Sequence, residues 1–372
     1  MKSLKIGISG GSLGGLFAAI LLRKQGHAIS IFERSRSGLV GKGAGLVGQR
    51  ELLQILRMIG CAHVARVGVV AHERIHFSRT GEIVHRQSTP QTQISWDTLF
   101  SSVANRFDGG IYKLGAGVRS VITDGRQADL LFEDGHSDQF DLVIGADGLG
   151  SVARATVNPD AYENRYAGYL TWRGLIPESA VPDKAEVLLG RFSFYSEPGE
   201  HVLGYLVPGR NGETVAGSRR YNWVWYRKAT QENLEAMIAE TGKDEWRFSV
   251  PRGLVSDART SEMHDSAFRT LPLPFSSVIV AEESPSIHGI YDYEAEKLVR
   301  GRVALLGDSA FVVRPHTAMG VAKAAGDAMA LAAALAEASD VDTALDRYER
   351  TRMPIGAEIA SYGQDLGRGL GF

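Results

Sequence analysis

Apolar residues in the first part of the chain fall in short runs that fit a βαβ unit. Lys5 to Ser9 predicts a strand, Leu16 to Gln25 a helix stopped by Gly26, and Ala28 to Phe32 a second strand closed by Glu33-Arg34. Two more apolar runs, Asp141 to Ala146 and Gly301 to Leu306, read as buried strands, each ending in an acidic turn, Asp147-Gly148 and Gly307-Asp308. Helices are predicted at Gln49 to Ile59 and Trp96 to Arg106, with a flexible loop at Gly41 to Leu46. A hairpin is predicted at Ile75 to Phe77 and Ile83 to His85, and short strands at Val118 to Ile122 and Asp129 to Phe132.

The middle of the chain has a different texture. Leu170 to Leu175, Glu186 to Tyr195, His201 to Val207 and Arg219 to Tyr226 alternate or run apolar at strand length, with turn signals at Glu197-Pro198-Gly199-Glu200 and Gly209-Arg210-Asn211-Gly212. That pattern predicts an antiparallel sheet, with a helix at Gln231 to Thr241 on its outside. Helices at Ala325 to Ala336 and Val341 to Tyr362 close the chain. The expected fold is α/β, a Rossmann-type lobe interleaved with an antiparallel-sheet lobe. The first lobe takes 1–70, 97–160 and 282–340, the second 71–96 and 161–281, and 341–372 forms a C-terminal helix.

With 372 residues, 44% of them hydrophobic, the chain can bury two such cores. A net charge of -2 gives no reason to expect nucleic acid or an anionic membrane as partner. The single cysteine, Cys61, excludes an internal disulfide and suits a reducing, cytoplasmic setting. The uncharged stretch Ile6 to Leu22 follows two lysines as a signal peptide would. Its five glycines and the Arg23-Lys24 that closes it fit the βαβ unit instead.

The candidate chemistry lies at the strand ends. Gly10-Gly11-Ser12-Leu13-Gly14-Gly15 turns the first strand into the helix, and Glu33 follows about 20 residues on, the spacing that binds a dinucleotide's pyrophosphate and ribose. Ser12 stands where the second glycine of the pattern belongs, and its hydroxyl can add a hydrogen bond to phosphate. Asp308, at the mouth of a buried strand, can accept hydrogen bonds from a polyol. A rival pattern, His72-Glu73-Arg74-Ile75-His76, matches the zinc hydrolase motif H-E-x-x-H, which requires a helix. On the predicted strand, residues four apart are separated by roughly 13 Å, too far to share one metal. No metal site is expected.

Taken in order, the glycine turn, Asp147-Gly148-Leu149-Gly150 and Gly307-Asp308 resemble the signature of the class A flavoprotein aromatic hydroxylases. The runs Tyr166-Ala167-Gly168-Tyr169-Leu170-Thr171-Trp172-Arg173-Gly174 and Arg314-Pro315-His316-Thr317-Ala318-Met319-Gly320-Val321 resemble the branch containing 2,6-dihydroxypyridine 3-hydroxylase. Like that branch, the chain departs from the wider family at Phe311 and Ala318, and it has Ser95-Trp96-Asp97 where an arginine is often found. The resemblance implies an architecture like that of p-hydroxybenzoate hydroxylase, bound FAD, and NADH or NADPH as a transient reductant. It implies hydroxylation of a hydroxylated aromatic or pyridine ring through a flavin C4a-hydroperoxide formed with molecular oxygen. A flavin reductase or dehydrogenase of the same fold is the alternative, and a homodimer is possible.

By the same resemblance, Gly10, Ser12, Leu13, Gly15, Glu33, Arg34 and Val118 would hold the ADP half of FAD, and Asp147 would lie in the segment that serves both FAD and NAD(P)H. Asp308 would hold the ribityl chain, and Gly45 and Val47 would lie beside the ring system. Pro315 and backbone donors in Ala318, Met319, Gly320 and Val321 would face the flavin N1–C2=O edge, where negative charge develops on reduction. His316 is the expected base, because an unperturbed imidazole near pKa 6.5 suits proton transfer at neutral pH. Tyr205 would orient a ring hydroxyl, and Arg173 would pair with an ionised ring oxygen or carboxylate or form a salt bridge between lobes.

Overall fold

The chain folds around two sheets in a computed structural model that describes residues 2–41, 43, 45–243 and 245–372. The first sheet has six strands in the order Val299–Arg300, Val303–Leu305, Leu142–Gly145, Lys5–Ser9, Ala28–Glu33 and Ile111–Leu114. All pair in parallel except the hairpin at the Val299–Arg300 edge. Parallel pairing places Ser9, Glu33, Gly145 and Leu305 at one end of the sheet, which brings together three turns far apart in sequence. Open parallel sheets bind ligands at such carboxyl ends.

Helices Leu13–Lys24 and Gly320–Glu337 pack side by side against this sheet. The first is apolar nearly all round, with Leu16 to Ala19 fully buried, as a helix between sheet and neighbour must be. The last helix, Val341–Gly369, runs past the Tyr362 expected from sequence. Ala344, Leu345, Tyr348 and Ala360 join the same core, so the helix is part of the first lobe and not an appendage.

The second sheet follows the path Ser249–Val250, Ser286–Glu294, Arg165–Pro177, Arg220–Lys228, Glu200–Val207, Arg191–Glu197, Glu73–Phe77 and Ile83–Gln87. One face carries Leu170, Trp172, Val202, Leu206, Trp223 and Trp225, buried under helices Gln231–Ala239, Asp257–Thr270 and Leu273–Val280. Sequence periodicity missed the last two helices. Leu273–Val280 is short and apolar on most sides, and Asp257–Thr270 buries only Met263, Ser266 and Ala267.

The strand expected over Glu186 to Tyr195 is a 3-10 turn at Asp183–Leu188 followed by the strand Arg191–Glu197. Gly190, at φ +71°, breaks the run. In the expected loop at Gly41 to Leu46, Gly45–Val47 is a strand that pairs with Gln91–Ser95, itself also paired with Val69–Ala71. Lys42 and Ala44 lie outside the described residues.

Candidate active site

At the glycine turn, Gly10 sits at φ +105°, and a Cβ there would strike the carbonyl of Ala146. A Cβ on Gly15 would strike the carbonyl of Gly10, so strand and helix meet too closely for any side chain. Ser12 caps the twelve-residue helix Leu13–Lys24, yet its hydroxyl makes no capping bond. The hydroxyl and the first helical N–H groups together offer donors to an anion. Leu13 contributes only backbone, since its side chain is buried in the core. Glu33 is buried and clamps the turn from the next strand: its Oε2 accepts from Gly11 N at 3.0 Å and its Oε1 from Ser35 N at 2.9 Å. Arg34 is exposed beside Gly150.

The second turn is a strut. Asp147 accepts from Ser309 Oγ at 3.0 Å, Val152 N at 2.9 Å and, more weakly, Ser9 Oγ at 3.4 Å. Its carboxylate thereby ties three strand ends together. Arg154, unassigned by sequence reasoning, is 1% exposed and binds the carbonyls of Ser309, Asp308 and Leu149 while stacking on Tyr293 at 3.7 Å. Burial lowers its pKa to about 10, still a full cation at neutral pH.

The third turn, Gly307-Asp308, is held from beneath by charges that sequence reasoning also missed. Lys323 Nζ donates to the Gly307 carbonyl at 2.8 Å and to Asp327 Oδ2 at 2.9 Å. Asp327 accepts in addition from Gly307 N at 2.9 Å and Arg352 Nε at 2.7 Å. The Asp308 side chain itself is solvent-accessible and makes no hydrogen bond among the described residues. Protein closing round it raises its carboxyl pKa, while Lys323 and Arg154 pull it back down.

The loop that follows crosses to the second lobe. Arg314 forms a buried, two-point pair with Asp292 at 2.8 and 2.6 Å, which anchors Pro315 and His316. Ala318 N donates to Pro315 O and Met319 N to Thr317 Oγ1, so both of those expected donors are spent within the loop. Gly320 and Val321 open the helix Gly320–Glu337, where N–H groups have no intrahelical acceptor. Ala318 holds φ +54°, a left-handed conformation that costs alanine about 1 kcal/mol.

The open face of the second sheet looks onto these loops. Register sets Thr171, Tyr226 and His201 in one row, Arg173, Val224 and Leu203 in the next, and Asn222 beside Tyr205 beyond them. Tyr205 is buried, its phenol bonded to Gly45 O at 3.3 Å and its pKa pushed up to about 12 by desolvation. Gly45 is needed there, since a Cβ would strike Val207 and Tyr205. Val47 pairs with Gln93 on the adjoining small sheet, and Val118 packs against the first core at the start of strand Val118–Thr123.

His316 departs from expectation. Its Nε2 meets Tyr169 Oη at 2.9 Å, its ring stacks on Tyr226 at 4.3 Å, and burial, with His201 and Arg314 nearby, lowers its pKa to about 3. It is a neutral imidazole at physiological pH, not the base near 6.5 that the sequence suggested. Its Nδ1 is buried without a partner. Arg173 is half-buried, and its only hydrogen bond among the described residues is to Thr171 Oγ1 at 3.3 Å. No inter-lobe salt bridge to it forms among those residues. Its charge instead acts on Tyr205, Tyr226 and His288.

The H-E-x-x-H match lies across the strand Glu73–Phe77, and Glu73 is taken by Arg191 at 2.7 Å and Arg86 at 3.0 Å. A strand cannot direct His72 and His76 to one metal, so the zinc hydrolase alternative falls.

Comparison with known proteins agrees with this geometry. A family described as FAD binding domain-like matches residues 166–292. The chain is 29% identical over 355 residues to 2,6-dihydroxypyridine 3-monooxygenase of Paenarthrobacter nicotinovorans, covering 95% of this chain and 88% of that protein. It is 28% identical to 3-amino-4-hydroxybenzoate 2-monooxygenase of Streptomyces cremeus, over 96% of this chain and 85% of that one. The solved 2,6-dihydroxypyridine-3-hydroxylase from Arthrobacter nicotinovorans superposes with a TM-score of 0.91 at 28% identity, covering 99% of this chain and 93% of that one. With a glycine turn that suits a dinucleotide, a free carboxylate at the third strand end and likeness over nearly its whole length to such enzymes, the chain is an FAD-dependent monooxygenase that resembles the class A flavoprotein aromatic hydroxylases.

Proposed function

We propose that this protein consumes NAD(P)H and oxygen to hydroxylate a small aromatic or pyridine ring next to an existing, ionised ring oxygen. The observation that carries the reading is Arg173, a half-buried guanidinium with no carboxylate partner among the described residues, on the sheet face opposite the cofactor loops. An unpaired cation in a partly desolvated site is costly unless a ligand supplies the anion. The activities for which the relatives are named, on a dihydroxypyridine and an aminohydroxybenzoate, support a ligand of that class.

The residues present fit FAD. Gly10, Ser12, Gly15 and Glu33 would hold the pyrophosphate and ribose, Asp308 the ribityl hydroxyls, and Gly320 and Val321 N–H groups the pyrimidine edge. The chemistry that bound FAD supplies is two-electron reduction by a nicotinamide and activation of oxygen. Arg173 would favour the ionised form of the ring hydroxyl by direct charge pairing, which makes the ring a stronger nucleophile. Tyr205, held protonated at neutral pH, would orient that oxygen by turning its hydroxyl from the Gly45 carbonyl, a long contact of 3.3 Å, while Tyr169 and His316 form a hydrogen-bonded pair able to carry a proton without bearing a charge. The aromatic wall of Phe192, Phe194 and Tyr226 keeps water from the face.

The test is a panel of hydroxypyridines and hydroxybenzoates, scored for stimulated NAD(P)H oxidation and for product mass raised by one oxygen. Arg173→Met is expected to raise KM for an ionised substrate about tenfold or more, the worth of a charge-assisted hydrogen bond. Absence of stimulation by every ring compound would overturn the proposal.

A further inference from the structure

Gln93 is 0% exposed, and neither the oxygen nor the nitrogen of its carboxamide has a hydrogen-bond partner among the described residues. Every other buried side chain left short of a partner there has one such atom; Gln93 has two. A carboxamide taken out of water with both ends unpaired destabilises the fold, and the cost is offset only when something else supplies the bonds.

The backbone fixes where that carboxamide faces. Gln93 lies in the strand Gln91–Ser95, the middle one of the small sheet, opposite Val47 on one side and Val69 on the other. Side chains alternate along a strand, so Gln91 and Gln93 share a face and Ile94 takes the opposite one, in the core of the first lobe. Gln91 reaches the open face of the second sheet, where its Oε1 accepts from Arg74 Nη2 at 2.6 Å. Gly45, opposite Ser95, meets the same open face at Tyr205 and Val207. Gln93 stands between these two contacts. Ser95, two residues on, caps the helix Trp96–Ala104 by accepting from Thr98 N, so the strand that carries Gln93 is held at its end as well as along both edges.

The surface that Gln93 faces belongs to the ring site. Phe192 lies opposite Arg74 and packs edge-on against Tyr205 at 4.8 Å, and Asn222 lies opposite Tyr205. Arg173 is on the strand beyond Asn222, two strands or about 10 Å from that of Tyr205. A ring held at Arg173 by an ionised oxygen would therefore extend over this row toward Gln93. A carboxamide offers an acceptor and a donor side by side in one plane. Its complement is a ring edge on which a donor adjoins an acceptor, as a ring N–H adjoins the oxygen of a 2-hydroxypyridine or an amino group adjoins a phenol oxygen.

We propose that Gln93 is a specificity-determining residue of the substrate pocket and pairs with a ring edge on which a hydrogen-bond donor adjoins an acceptor; the inference rests on the ring-hydroxylase reading above. The FAD-loaded enzyme and its Gln93→Met and Gln93→Leu variants are titrated with two matched pairs of compounds, and binding is read from the flavin absorbance. Resorcinol is 2,6-dihydroxypyridine with carbon in place of the ring nitrogen, and 4-hydroxybenzoate is 3-amino-4-hydroxybenzoate without its amino group. The unaltered enzyme is expected to bind the donor-bearing member of at least one pair about tenfold more tightly, the effect of one neutral hydrogen bond, and both variants to lose that preference. The pair that shows the effect identifies the donor, ring nitrogen or amino group.

A second readout needs no substrate. Exchanging an unpaired buried carboxamide for an apolar chain of similar size should leave the melting temperature of the FAD-loaded enzyme unchanged or raised, whereas a carboxamide with a structural role would lower it. A preference that survives in both variants, equal affinities within both pairs for the unaltered enzyme, or a melting temperature lowered by about 4 °C or more in both variants would overturn the inference. Ring compounds that still stimulate NAD(P)H oxidation in any of those cases leave the hydroxylase reading standing; stimulation by none overturns both.

Discussion

Replacing Asp327 by Asn should damage the protein more than replacing its partner Lys323 by Met, although the lysine is the residue 0% exposed at its side chain. The cluster beneath Gly307 holds two cations, Lys323 and Arg352, and one carboxylate, Asp327. Removing the lysine leaves Asp327 paired with Arg352 at 2.7 Å and loses two hydrogen bonds, which costs about 2 kcal/mol. Removing the carboxylate charge leaves two buried cations facing each other with no directly paired carboxylate, since Asp308 acts on Lys323 only without a hydrogen bond, and breaking a buried pair in that way costs about 3–5 kcal/mol. On a protein of this size each kcal/mol shifts the melting temperature by about 2 °C, so the expected losses are about 4 °C for Lys323→Met and about 8 °C for Asp327→Asn.

Circular dichroism melts of the apoprotein read this directly, and FAD titration reads the consequence for the turn. The pH dependence has a fixed sign. Lys323 and Arg352 hold the Asp327 carboxyl below its unfolded value, so its stabilisation is complete above that value and is lost as pH falls through the lower, folded one. The gap between wild type and Asp327→Asn should therefore be constant from pH 5 to 8, and narrow only below about pH 4. An Asp327→Asn variant within about 1 kcal/mol of wild type, or one more stable than Lys323→Met, would refute the charge argument.

Two further outcomes follow from the loop above that cluster. Ala318→Gly removes a left-handed alanine and is expected to stabilise the protein by about 0.5–1 kcal/mol in a denaturant melt; a loss of stability would show that the alanine methyl has a packing role outweighing the strain. For His316, whose pKa of about 3 puts its titration far below the working range, His316→Gln is expected to slow turnover while leaving the shape of its pH profile between pH 5 and 8 unchanged. An acidic limb near pH 6 in the wild type that vanished in the variant would return His316 to the role of base.

What the sequence could and could not reveal follows from how local each cause is. The glycine turn was legible because its demands are met within a few residues: a left-handed Gly10 and a helix start at Leu13 leave a pattern in any such strand-turn-helix. The two acidic turns were legible for the same reason, since apolar runs announce the strands that end in them. Arg173 was legible as a candidate and undecided as to role, because whether a salt bridge meets it depends on the other lobe. Lys323 and Asp327 carried a signal that went unused. They stand four apart, one helical turn, among alanines, where a solvated pair has no reason to be. The expected helix began at Ala325, beyond the lysine, whereas the observed one begins at Gly320 and turns both charges inward.

Arg154 could not have been assigned, since its partners Asp308 and Ser309 lie about 155 residues away. The same holds for His316. The sequence supplies an imidazole of ordinary basicity, and its neutral state arises only when Tyr169, Tyr226 and Phe372, from three separate segments, close around the ring. Charge state at the cofactor loop is thus a tertiary property. The strand-end turns that would hold the cofactor are local ones, which is why the cofactor could be inferred from sequence and the proton path could not.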